Sequence, residues 1–109
     1  MAYKVLGQAH LTTTSDTTVY TVPSGKEAVI STIVLANVTS SATTFDLAVR
    51  PDGTALAAQH YLGSAVPLAG NDSTTLTLGI TADASDVVSV AAGTANAISI
   101  SIFGSEITA

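Results

Sequence analysis

The chain has no cysteine and no tryptophan. Without thiols it can form neither a disulfide framework nor a thiolate metal site, and its redox compartment stays open. Charge is also scarce: 10% of the residues are charged, against about a quarter in an ordinary domain. The cations are Lys4, Lys26 and Arg50, far apart in sequence, and the formal net charge is −5. Nucleic-acid binding needs a clustered basic footprint, so that class is excluded as a partner. Long apolar runs are missing too. The longest candidate, "AVISTIVLANV" at 28–38, is broken by Ser31, Thr32 and Asn37, so no membrane helix is expected. The N-terminal "MAYKVLGQAHLTTT" lacks an apolar signal core and a cleavage pattern. The expectation is a soluble protein that enters no secretory pathway by its own signal.

What remains is 47% hydrophobic, with a mean hydropathy of +0.50. Disordered chains combine few apolar residues with much charge, so this one should fold. At 109 residues it is one domain, large enough for a core without staples.

Alternation with a period of two recurs, and no helical stripe competes with it. "TTFDLAVR" sets Phe45, Leu47 and Val49 on one face; "STTLTLGI" sets Leu76, Leu78 and Ile80 together; "DVVSVAA" pairs Val88 with Val90. Turn chemistry separates the runs: "VPSGKE", "RPDGT", "AGNDS", "TADASD" and "GTAN". The spacing predicts about eight strands, near 3–11, 18–23, 28–38, 44–50, 59–66, 74–80, 87–92 and 97–103. The fold class is therefore all-β, an antiparallel β-sandwich with jelly-roll or Ig-like topology. Residues 18–109 form the sandwich domain, and residues 1–17 form an edge strand or an arm reaching a neighbour. "TADASD" has room for one helical turn and no more.

Two stretches raise the question of what a strand's outer side faces. In "NAISISIFGSE", Ile98, Ile100 and Ile102 share one face, while Ser99, Ser101 and Phe103 share the other. In "EAVISTIVLANV", strict alternation puts Val29, Ile33 and Leu35 on one side and Ala28, Ile30, Val34, Ala36 and Val38 on the other. Neither side of that second strand is wet. Neutral small-residue surfaces suit packing against other subunits, where charge would have to be desolvated. Ile30, Val34, Ser99, Ser101 and Phe103 are therefore candidate contacts with a neighbouring subunit or a capsid. For Ser99, Ser101 and Phe103 a covering loop would serve as well as a subunit, and plain solvation of Ser and Thr is the rival fate; the two-sided strand is either central in the sheet and covered, or at a subunit contact.

Reactive constellations are absent from the sequence. A hydrolase triad needs a nucleophile, a base and an orienting acid in reach of one another. His10 and His60 are the only histidines, and Ser64 and Ser105 lack the nucleophile-elbow pattern. His60, beside Tyr61, reads as a partly buried strand residue. Asp72, Asp83 and Asp86 lie in acidic loops, but their spacing is not an EF-hand and such residues ordinarily tighten turns. Asn37 in "NVT" and Asn71 in "NDS" match the glycosylation sequon, and without a signal both read as chance. The protein is read as no enzyme, with no cofactor, metal or catalytic residue.

The segments "YTVPSGKEAVISTIVLANVTSSATTFDLAVRPDGTALAAQHYL", "NDSTTLTLGITADASDVVSV" and "ISISIFGSEI", in that order, resemble small virion structural proteins of tailed bacteriophages, cyanophages among them. The likeness runs from about Tyr20 to near the end of the chain. It implies a β-sandwich present in many copies in a virion made in the host cytoplasm, on the capsid or in the tail, with no catalytic residues to carry over. The resulting expectation is a capsid decoration (cement) protein, a homotrimer or other homo-oligomer, bound to the major capsid protein or another virion protein. The alternative is a receptor- or glycan-binding module of a tail fibre or baseplate. It would use loop tips around Asp52, Asn71 and Asp83 at one end of the sandwich.

Overall fold

Alternating strands that each bury one face close into two sheets packed against each other. The computed structural model describes residues 3–108, with the side chain of Leu78 outside that description. Eight strands are present among the described residues: β1 (Lys4–His10), β2 (Thr17–Thr21), β3 (Lys26–Asn37), β4 (Thr43–Arg50), β5 (Tyr61–Leu68), β6 (Ser73–Ala82), β7 (Val87–Ala92) and β8 (Ile98–Thr108). Two short 3-10 turns, Pro51–Gly53 and Ala58–His60, lie between β4 and β5. Among the described residues no helix is long and apolar enough to cross a membrane.

The first sheet has the order β1-β8-β3-β6 and the second β2-β7-β4-β5. All pairings are antiparallel. Every connection but β4–β5 crosses from one sheet to the other. This is the connectivity of an eight-stranded jelly roll, so of the two expected topologies the Ig-like one is set aside. Residues 4–10 are an edge strand paired with β8.

The core fills the space between the sheets. Phe45, Leu47, Val88 and Val90 come from the second sheet, and Ile33, Leu35, Ile98, Ile100 and Ile102 from the first. Leu76 and Ile80 pack against this core as the alternation predicts; the Leu78 side chain lies outside the described residues. Ala28 and Ile30 are also core residues, with no exposed area. That corrects the placement of Ile30 on an outer contact face. Between Ile30 and Thr32 the register shifts by one residue against β8. The extra residue, Ser31, forms a bulge, and a bulge reverses which parity faces inward. Ala28 and Ile30 face in before it, Ile33 and Leu35 after it, and Val29 and Val34 lie outside.

Two boundaries differ from expectation. β8 continues to Thr108 instead of ending near 103, because Lys26–Ile30 pairs with its last residues. His60 belongs to the 3-10 turn before β5 rather than to a strand, and its Nδ1 accepts the Ala57 N–H at 3.0 Å. Asn37 is buried at the end of β3. Its amide donates to the carbonyls of Ser41 (2.7 Å) and Leu68 (3.3 Å), while Oδ1 accepts from the Thr39 N–H and hydroxyl. An amide so engaged has no room for a glycan in the folded protein.

Candidate functional site: the outer face of the first sheet

The outward side of the first sheet follows from register, because directly paired residues share a face. His10, Ser99, Ala36 and Ser73 form one row across its four strands. The next row is Gln8, Ser101, Val34 and Thr75. A third holds Val5, Phe103, Thr32 and Thr77. None of these three rows of four contains Asp, Glu, Lys or Arg. The central β8 and β3 positions are half-buried by their neighbours, and the β1 and β6 positions are exposed. Val5, beside Phe103, is 49% exposed.

Local bonds tie the strands of this face together. The Gln8 amide donates to the Ser101 hydroxyl at 3.1 Å. Nε2 of His10 lies 2.9 Å from the Asn96 carbonyl and donates to it. The Ser31 hydroxyl donates to the Phe103 carbonyl at 3.3 Å, which ties the bulge to β8. Gly104 is required just beyond Phe103: a Cβ there would collide with the Val29 carbonyl.

The second sheet is different. Ala48, Ser89 and Val87 point outward from it, yet they are 1%, 0% and 6% exposed. The 51–60 connection covers them, its two turns lying against β7 and β4. Arg50 anchors this cover through Nη1 to the Thr54 carbonyl and Nη2 to the Thr18 hydroxyl, both at 3.0 Å. So a covering loop is the fate of one outer face, and the face with Val34, Ser99, Ser101 and Phe103 is the open one.

The loop-tip candidates do not assemble. Asp52 and Asp83 lie at one end of the sandwich, each donating its backbone N–H to the Asp86 carboxylate at 2.9 Å. Asn71 sits at the opposite end, where its N–H meets the Thr39 carbonyl at 2.7 Å. The expectation of one shared site is therefore corrected. β5 runs from the first end to the second and so separates them. Asp52 and Asn71 hold left-handed backbone, φ 54° and 55°, which Asp and Asn tolerate better than most residues. Asp86 tightens its own turn through the Asp83 N–H, as the sequence suggests for such loop residues, but its bond to the Asp52 N–H, 34 residues away, carried no sequence signal. Among the described residues no cluster of three or more His, Asp or Glu side chains is placed to hold a metal.

A second feature missed by sequence reading lies between the sheets. Glu106 accepts the Tyr20 hydroxyl at 2.6 Å and the Lys4 ammonium at 3.0 Å. Its carboxyl is held below the usual carboxylate range, first by the Tyr20 hydrogen bond and next by that from Lys4. Burial, with the adjoining carboxylate, pushes the Tyr20 phenol far above its ordinary value, so it stays protonated.

No protein-family model matches the chain, and no curated protein matches it significantly. The open neutral face is thus the surface on which a functional reading rests.

Proposed function

We propose that this protein is a non-enzymatic structural component of a tailed-phage virion: a decoration (cement) protein that binds the outside of the head as a homo-oligomer and bridges capsid subunits. The resemblance of the sequence to small phage virion proteins motivates the reading. Eight-stranded jelly rolls recur in viral capsid domains, though also in lectins and cupins, so the fold is compatible with the role and does not by itself assign it.

The observation that carries the reading is the set of three charge-free rows on the outer face of the first sheet. Three cations and eight carboxylates serve a surface of 5349 Å², and none falls in the rows centred on Ser101. A face without charge meets a partner without desolvating ions, and small Ser, Thr and Ala side chains allow close backbone approach. A shell under internal pressure gains from small rigid domains that tie adjacent subunits together through such contacts. Attachment through this face should survive moderate salt, since screening removes only charge attraction.

The test is paired. Particles with and without the protein are heated and DNA release is recorded. Cement function predicts release at lower temperature from particles that lack it. Equal release temperatures, combined with failure of the deficient particles to adsorb to cells, would replace this reading with the tail-module one.

A further inference from the structure

We infer that the free edge of β6 receives an extended, lysine- or arginine-bearing segment of another protein, which joins the first sheet as a fifth strand. The inference concerns a sheet edge rather than the outward face, and it goes beyond the proposed role.

The sandwich has four edge strands, β1 and β6 in the first sheet and β2 and β5 in the second. An edge strand presents unpaired N–H and C=O groups that template a further strand unless something blunts it. Three of the four are blunted. β1 and β2 lie against each other along one side of the sandwich; β1 also carries Lys4, and β2 has only five residues. β5 is broken. Ala65 holds a φ of 49°, the register against β4 shifts twice, and Pro67 has no N–H to offer.

β6 is different. Its sequence, "STTLTLGITA", contains no charge and no proline. From Ser73 to Thr77 it pairs residue for residue with Thr32–Ala36. Alternate backbone groups of that stretch point away from β3, where no strand pairs with them. The register shifts only beyond Thr77, so Ser73–Thr77 is the regular part of the edge.

Charge selects the occupant. Asp72 and Asp83 stand at the two ends of β6, and each carboxylate accepts the next backbone N–H, of Ser73 or Ala84, at 2.8 Å. Among the described residues neither is paired with a cation. Lys4 is bound to Glu106 and Arg50 lies near Asp16, while the Lys26 ammonium turns to Thr108 on β8, away from β6. A chain of formal charge −5 attracts a cationic segment and repels its own copies. Such a segment pairs its backbone with Ser73–Thr77 and sets an ammonium or guanidinium beside Asp72. Main-chain bonds supply the affinity of strand addition, and side chains supply the choice of partner.

The probe is the capped peptide Lys-Thr-Val-Thr-Val-Thr-Lys, whose two lysines place a cation at Asp72 in either strand direction. Amide hydrogen exchange of the whole isotope-labelled protein is followed by NMR at low salt, with and without about 5 mM peptide. A dissociation constant on the order of 0.5 mM slows the amides it covers about tenfold. The expected result is that slowing at alternate residues of Ser73–Thr77, with β1, β2 and β5 unchanged. Glutamates in place of both lysines should weaken binding about tenfold, and a central proline should abolish it. Asp72→Asn keeps an oxygen for the Ser73 N–H and should weaken binding about threefold. No slowing at β6, equal slowing at another edge, indifference to the central proline, or an unchanged affinity in Asp72→Asn overturns the inference. So does a dimer in sedimentation equilibrium whose β6 amides are already protected, since the occupant is then a second copy. Peptide binding in free solution does not enter the heating of particles, so a failure here leaves the virion reading to that separate test.

Discussion

The Tyr20 hydroxyl reaches from β2 in one sheet to the Glu106 carboxylate on β8 in the other, at 2.6 Å. It is a polar rivet between the two layers, as is the bond from the Asn37 amide on β3 to the Leu68 carbonyl on β5. Hydrogen bonds to charged groups contribute about 1.5–3 kcal/mol. Tyr20→Phe keeps the ring and removes the donor, so it should cost about 2 kcal/mol in chemical denaturation. An unchanged midpoint would mean that the hydroxyl contributes nothing beyond what water supplies.

The same pair gives a pH dependence. The folded Glu106 carboxyl lies below its ordinary value, and an unfolded Glu titrates near about 4.3. The unfolded chain therefore binds the proton first as pH falls. The contribution of Glu106 is present above about pH 4.3 and is lost as pH falls through the folded value. Glu106→Gln should flatten the acid limb of the stability profile, measured as urea midpoints between about pH 3 and pH 6. An identical slope in the variant would locate the acid sensitivity elsewhere.

Ile100 and Ser101 are neighbours with opposite fates. Ile100 is 2% exposed in the core, and Ser101 faces outward. Ile100→Ala should cost about 2–5 kcal/mol through the cavity it leaves. Ser101→Ala loses one exposed bond to Gln8 and should stay within about 0.5 kcal/mol. Equal small effects would show that the two faces of β8 are misassigned.

Gly104 on β8 pairs with Ile30 of β3, next to the bulge. A methyl group there meets the Val29 carbonyl and the Ile30 Cα, both backbone atoms held by the bulge. Gly104→Ala should destabilise by about 3 kcal/mol or lower soluble yield, while Gly79→Ala, with open space around it, should change little. The comparison is made by thermal melting of both variants.

The sequence by itself determined the class of fold and the inward set of most strands. Alternation of Phe45, Leu47, Val88, Val90 and the three isoleucines of β8 is a period-two signal that each strand carries alone, and burial enforces it. The neutrality of Ser99, Ser101 and Phe103 was equally legible, since composition needs no partner. Only the tertiary structure decided the rest. The bulge at Ser31 depends on how β3 meets β8, so strict alternation put Ile30 outside when it belongs to the core. Whether Asp52 shares an end with Asp83 or with Asn71 depends on the direction of each strand in the sandwich. Tyr20 and Glu106 meet across two sheets although far apart along the chain, and neither residue type announces a partner. Local spacing fixes which side chains share a face; which faces, ends and layers meet is set by long-range packing, to which periodicity within a strand is blind.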